Sequence, residues 1–220
     1  MHCKHFESFR EVWLADFEFG SEPGERPVVR CLVAKEFHSG QLIRLWADEL
    51  GSVPPFDVGT DSLFVAYFAS AEVGCFLTLG WPKPRRILDL YTEFRSLTNG
   101  LTNPLGNGLL SALSYFGIDA IGSAEKDEMR TLALRAGDYT PEEKSALLDY
   151  CQSDVDALGR LLPKMLTTIE YLPRSCYRGR YMGAVAAMEH EGVPLDMELF
   201  RHLQDNWEAI QDKLIAEIDK

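Results

Sequence analysis

The chain is short of positive charge. Lys and Arg number 22 against 34 Asp and Glu in 220 residues, a formal net charge of −12. A protein that holds duplex DNA through a broad basic face is thereby excluded, because that mode binds by releasing counterions to lysine and arginine. Nucleic acid itself is not excluded, since an enzyme that grips phosphates through divalent cations needs carboxylates rather than lysines. Cysteine is sparse and unpatterned. Cys3, Cys31, Cys75, Cys151 and Cys176 are odd in number, with no CxxC and no paired His spacing, which argues against a disulfide framework and a structural zinc site. Long apolar runs are missing as well. No stretch reaches the roughly 18 to 20 apolar residues that a membrane span needs, and the N-terminus has no apolar leader core. The expectation is a soluble cytoplasmic protein with no membrane partner. With 46% hydrophobic and 25% charged residues, disordered and fibrous classes are also set aside.

What remains reads as an α/β chain. Residues 12 to 19 predict a strand, followed by a turn over 20 to 27, a second strand over 28 to 33 and a third over 41 to 46, an antiparallel meander with short connections. The apolar run 63 to 67 leads into a helical pattern over 69 to 79. After the breaker Trp81-Pro82-Lys83-Pro84 comes a short strand over 87 to 90, so strand, helix and strand predict a crossover to a parallel neighbour. From about residue 103 the pattern turns helical, over 109 to 116, 124 to 135 and 140 to 165. Thr140-Pro141-Glu142-Glu143 is a helix start, with Thr140 as N-cap, Pro141 in the first helical position and acids in the first turn. Two more helices follow, about 177 to 191 and 197 to the end, separated by Gly192-Val193-Pro194. The α/β part is expected to end near residue 172.

Three acidic signals stand out. In Trp13-Leu14-Ala15-Asp16-Phe17-Glu18-Phe19, strand alternation puts Asp16 and Glu18 on one face and Trp13, Ala15, Phe17 and Phe19 on the other. Two carboxylates sharing a face are unfavourable unless a cation or proton offsets them. The same pattern also fits a strand whose second face is solvated. Leu147, Tyr150, Asp154, Leu158 and Leu161 follow helical spacing and predict a core-facing stripe carrying an acid, unless Asp154 reaches water at its edge. Asp149 and Asp156 are expected to be solvated. Glu72 falls early in the helix after the fourth strand, where open α/β sheets place ligands, although an acid there also complements a helix dipole.

In this order, Ala15-Asp16-Phe17-Glu18-Phe19, Glu72 and Tyr150-x-x-x-Asp154 resemble the three motifs of the DEDD, or DnaQ-like, 3′-to-5′ exonucleases in the YxxxD subtype. The resemblance covers roughly residues 12 to 165. The segment from Arg180-Tyr181-Met182-Gly183 to Gly192-Val193-Pro194-Leu195-Asp196 resembles the stretch that follows the proofreading domain in family A DNA polymerases. The resemblance implies a ribonuclease H-like mixed five-stranded sheet flanked by helices over residues 1 to 172, and a C-terminal helical extension over 173 to 220. It implies two Mg²⁺ or Mn²⁺ ions about 4 Å apart. Asp16 would bridge them, Glu18 and Asp154 would complete one ion's site, Glu72 would hold the second through water, and Tyr150 would orient the attacking water. The implied substrates are single-stranded DNA 3′ ends, released as nucleoside 5′-monophosphates, with a polymerase domain as a partner in the intact protein. RNA trimming of the ribonuclease D kind and a decayed, non-catalytic nucleic-acid-binding module are the alternatives. Polymerase activity is not expected of these 220 residues. The sequence departs from the family where the second motif has Asp with Asn four residues earlier: here Glu72 and Phe68 stand. Asp89, after the fifth strand, is a second possible acid, with helix capping as its expected role. Arg160, Lys164, Arg174, Arg178 and Arg180, interleaved with Tyr171 and Tyr177, form a locally basic segment, and Arg174, Arg178 and Arg180 are its candidates for contact with the strand. The segment also reads as a solvated helix face.

Overall fold

The computed structural model describes residues 6–21, 24–102, 105–119 and 123–219, without the side chains of 123–127. Cys3 and the middle of the expected turn over 20 to 27 lie outside these residues. The chain divides into two compact units, Met1–His190 and Glu191–Lys220.

The first unit is built on one five-stranded sheet. Its strands are β1 (Glu11–Gly20), β2 (Val28–Glu36), β3 (Leu42–Trp46), β4 (Ser62–Ala66) and β5 (Ile87–Asp89), in the order β3-β2-β1-β4-β5. β1 pairs antiparallel with β2, and β2 with β3, while β4 and β5 run parallel to β1. The meander and the crossover expected from the sequence are both present. Helix α1 (Ala69–Thr78) makes the crossover from β4 to β5, α2 (Leu90–Leu97) follows β5 directly, and α3 (Leu109–Tyr115), α4 (Ser123–Leu134) and α5 (Pro141–Leu166) come next.

β1 is central, so both of its faces are buried. Val12 and Leu14 pack into a core with Leu147, Cys151, Val155 and Leu158 of α5. Trp13, Ala15 and Phe17 pack on the other side with Val73 and Phe76 of α1. The face that bears Asp16 and Glu18 is therefore covered by α5, which removes the reading of a solvated second face. α5 starts as expected: the Thr140 hydroxyl accepts from the Glu143 amide, and the Glu143 carboxylate accepts from the Thr140 amide. The expected core stripe holds at Leu147, Leu158 and Leu161, and the buried face also takes in Cys151, Val155, Ala157, Leu162 and Met165, whereas Tyr150 and Asp154 are half-buried at its edge. Asp149 and Asp156, expected to be solvated, pair with Arg44 at 2.6 Å and Lys35 at 2.7 Å and fasten α5 to β3 and β2.

Helix α6 runs Leu172–Glu191 and starts five residues earlier than expected. Leu172 and Cys176 belong to the core under α5, while Met182 and Ala186 belong with the core under α1. The helix thus crosses the β5 edge of the sheet and covers its unpaired side, which is one way an edge strand is protected. Gly179 and Gly183 make the approach possible, since both sit against Ile87. Glu93 of α2, almost fully buried, receives Nε and a terminal nitrogen of Arg178 at 2.7 and 2.6 Å and the Ser175 hydroxyl at 2.8 Å. The first unit accordingly extends through α6 to His190, and the division expected at residue 172 falls just ahead of that helix.

In the second unit the helix expected from Met197 to the end is broken into α7 (Met197–Asp205) and α8 (Trp207–Ile218). Asp196 caps α7, accepting from the Glu198 and Leu199 amides. Asn206 interrupts the run, its side-chain amide donating to the His202 carbonyl at 2.8 Å; such local side-chain bonding competes with the helix ladder. No helix among the described residues is long and apolar enough to cross a membrane.

A Cβ at position 179 would fall inside the envelope of the Ile87 carbonyl oxygen. Gly179→Ala is therefore expected to cost about 1–3 kcal/mol, the range for overpacking a well-filled interior. Thermal or denaturant unfolding checks this, and a wild-type midpoint would show that α6 does not seal the β5 edge.

Candidate active site

β1 outruns its parallel neighbour. Leu14 opposite Val65 is the last register pair with β4, yet β1 continues to Gly20. In that overhang the Phe17 amide donates to Glu72 Oε2 at 2.8 Å. Glu72 is on the first turn of α1 and only 4% exposed. The helix that leaves β4 thus returns a carboxylate to the strand end that β4 fails to pair.

On the opposite face of the same overhang, Asp16 and Glu18 are partly exposed, and α5 lies across them. Cys151 of α5 donates its thiol to the Asp16 carboxylate at 3.3 Å and to the Asp16 carbonyl at 3.2 Å. Donor atoms of Asp16, Glu18 and Cys151 all lie within 4.8 Å of one another. One turn of α5 brings in Tyr150 and Asp154, whose side chains are hydrogen-bonded to each other. The structure therefore brings Asp16 and Glu18 together with Cys151, sets Tyr150 within electrostatic reach of Asp16, Glu18 and Asp154, and sets Glu72 within reach of Asp16 and Glu18. Cys151 was missed. Its signal was its place four residues from both Leu147 and Val155, on the true core stripe.

The electrostatics follow from crowding like charges in a dry place. Burial first, then Asp16, and also Glu18 and Asp89, push the Glu72 carboxyl well above the usual range. Burial, then Asp154, Glu18 and Asp16, push the Tyr150 phenol up, so its hydroxyl stays protonated and acts as a donor. A buried carboxyl raised by its acidic neighbours in this way fits a divalent cation nearby, which would relieve the repulsion. Asp16, Glu18 and Asp154 offer hard oxygen donors suited to Mg²⁺ or Mn²⁺.

Asp89 has the capping role expected of it. It caps α2, accepting from the Tyr91 amide at 3.0 Å and the Thr92 hydroxyl at 2.7 Å, and it also takes the Phe68 amide at 3.0 Å. That last bond ties β5 to the start of α1. Phe68 itself has φ 77, the one positive φ outside glycine among the described residues. A left-handed backbone costs a residue of this kind on the order of 1–2 kcal/mol, and Asn tolerates it better. The departure from the family pattern at position 68 thus falls on a turn whose geometry suits the residue it lacks.

The basic candidates are placed differently. Arg178 is engaged by Glu93, which leaves little of its guanidinium for a ligand. Arg174 lines a cleft of about 290 Å³ with Glu93 and Ser96, and Arg180 is exposed on α6.

No protein-family model matches this sequence, and no curated protein matches it. Among solved structures, the chain is similar to the crystal structure of Escherichia coli RNase D, an exoribonuclease involved in structured RNA processing, at 17% identity and a TM-score of 0.54. The match covers 94% of this chain and 52% of that one, so the chain spans about half the length of its structural neighbour. The likeness is one of fold, the mixed five-stranded sheet with flanking helices.

Because the folded state holds a proton on Glu72 more tightly than the unfolded chain does near pH 4.3, that contribution to stability is full at low pH and is lost as pH rises through the raised value. In metal-free buffer the thermal midpoint should fall as pH rises above the ordinary carboxylate range. Glu72→Gln, which keeps an acceptor for the Phe17 amide but no charge, should flatten this dependence and melt above wild type at the alkaline end. Parallel profiles for the two proteins would contradict the electrostatic account.

Proposed function

We propose that the chain is a divalent-cation-dependent 3′-to-5′ exonuclease acting on single-stranded nucleic acid. The observation that carries this reading is the convergence of Asp16, Glu18, Glu72, Tyr150 and Asp154 at the end of β1. Asp16, Glu18 and Asp154 would hold the cations, with Asp16 shared between two of them and Glu72 acting on the second through water. Bound cations supply charge that stabilises the attacking and leaving oxygens of an in-line displacement. The protein's own contribution is position. The Tyr150 hydroxyl, held protonated by burial and by Asp154, orients the attacking water by accepting a hydrogen bond from it. The water oxygen bonds to phosphorus and gives up a proton to solvent, the bond from phosphorus to the 3′ oxygen of the preceding nucleotide breaks, that oxygen takes a proton from solvent, and a nucleoside 5′-monophosphate is released.

One feature suits a single strand. On α6, Arg174, Tyr177 and Tyr181 form an exposed stripe at helical spacing, with both tyrosines more than 60% exposed. Aromatic platforms with modest basic support are how single strands are held without a basic face. Arg174 and Arg180 are the cations we assign to this path; Arg178 serves it indirectly, by fixing α6 through Glu93.

DNA is favoured by the likeness of residues 180–196 to the segment that follows proofreading domains, which also suggests a polymerase region as partner. RNA is favoured by the RNase D fold. Incubation with 3′-labelled DNA and RNA oligonucleotides, with Mg²⁺, Mn²⁺ or EDTA, decides between them. Metal-dependent release of 3′ mononucleotides is expected, abolished by Asp16→Ala and by Asp154→Ala. Tyr150→Phe should slow release roughly 10- to 1,000-fold, the scale of one positioning hydrogen bond. Wild-type turnover in either Ala variant would remove the reading.

A further inference from the structure

Phe68 is a residue that local physics argues against. It stands at the N-cap of α1 with φ 77 and ψ 58, and its side chain makes no capping bond. A left-handed backbone and a helix cap both favour Asn, whose short polar side chain tolerates positive φ and can accept from a first-turn amide. Phe offers neither advantage. Burial does not offset the misfit, since Phe68 is 43% exposed, the one exposed phenylalanine among the described residues of the first unit. The ring is nevertheless held. The Phe68 amide donates to Asp89 Oδ1 at 3.0 Å, and the ring stands at 86° to that of Tyr91 with centroids 4.9 Å apart. Tyr91 is in turn set against Tyr67, at 72° and 5.9 Å. The place is close to the candidate site. Glu72 follows one turn along α1, and Asp89 acts on both residues, by its bond to the Phe68 amide and by its charge on Glu72. Phe68 also lines a mostly apolar cleft of about 400 Å³ together with Phe19, the residue after Glu18 on β1, so a flat group has room beside the ring. A strained backbone kept at an exposed position points to function rather than to folding.

We propose that Phe68 stacks on the base of the 3′-terminal nucleotide, and that the strained turn is kept because it presents the ring. The inference rests on the exonuclease reading for its substrate and adds a residue that holds the strand end by its base rather than by its phosphates. The ring is one turn from Glu72, so the base that meets it belongs to a nucleotide adjoining the scissile phosphate, and the terminal nucleotide is the one about to be released. Every base has a π face, so such a contact holds unpaired ends without reading their sequence. An Asn at position 68 would relieve the turn and lose the stack.

The test is fluorescence anisotropy of 5′-labelled DNA and RNA oligonucleotides ending in adenine, titrated with the full chain in EDTA so that metal-dependent release does not run. Phe68→Asn should weaken binding roughly 5- to 100-fold, the scale of one base–aromatic stack, and Phe68→Tyr should bind as wild type does. When the 3′-terminal base is removed from the oligonucleotide, wild type and Phe68→Asn should bind alike. Removal of the next base instead should leave their difference intact. Stability should move the other way: Phe68→Asn should melt at or above the wild-type midpoint, because it suits the turn and supplies a cap. Equal affinities of wild type and Phe68→Asn for the intact oligonucleotide, or a difference that follows the next base rather than the terminal one, would overturn the stack. A lowered midpoint in Phe68→Asn with unchanged affinity would make the ring a packing partner of Tyr91 and overturn it as well. Binding that depends on Phe68 and on the terminal base, in a protein that releases no nucleotide with Mn²⁺, would uphold the stack and overturn the exonuclease. Metal-dependent release by Phe68→Asn at the wild-type KM would do the reverse.

Discussion

The end of β1 is where the molecule places charge that it cannot solvate. β1 is flanked by strands and covered by helices along most of its length, but past Leu14 its parallel neighbour stops and the Phe17 amide has no strand to bond. Glu72 takes that amide. This single bond fixes where α1 begins, holds a carboxylate in a dry place, and sets it among Asp16, Glu18 and Asp89. The rest of the first unit supports the arrangement. Asp89 ties the start of α1 to β5, and α5 lays Tyr150, Cys151 and Asp154 over the opposite face. α6 seals the β5 edge and clamps α2 through Glu93 and Arg178. Burying like charges together is costly, and a fold that concentrates them at one strand end stores that cost for a ligand of opposite sign.

Much of this is legible in the sequence because it is local. Alternation put Asp16 and Glu18 on one face, and the Thr140 cap fixed the start of α5. The turn pattern gave the meander and the parallel crossover, and Asp89 could be read as a cap. The covering of the Asp16 face could not be read, since only the packing of α5 distinguishes a carboxylate pair in a core from one in water. The α5 stripe was read correctly at Leu147, Leu158 and Leu161, but Tyr150 was counted as core and Cys151 was not, although free cysteine is among the most buried residue types. Arg178 was read as a free cation because its partner, Glu93, is distant in sequence and lies on another helix. The early start of α6 was hidden by Pro173, which is tolerated in a first helical turn. The covering of Asp16 and the partner of Arg178 were missed because they are contacts between distant segments.

Two departures from the pattern of the family that the sequence resembles bear on the same corner of the molecule. Phe68 holds a left-handed turn that Asn suits better, and Glu72 is one methylene longer than Asp. The longer side chain starts on a helix displaced from the strand and still reaches the Phe17 amide, so length and turn are matched here.

The central claim is that the carboxylates at the end of β1 are arranged for divalent cations. Anomalous diffraction from crystals soaked in Mn²⁺ tests this most directly, because manganese is located without reference to activity or to substrate. The account predicts anomalous peaks against Asp16, joined by Glu18 and Asp154, in the wild-type protein and none there in Asp16→Ala. An intact cluster with no manganese at Asp16, in crystals that bind the ion elsewhere, would contradict it.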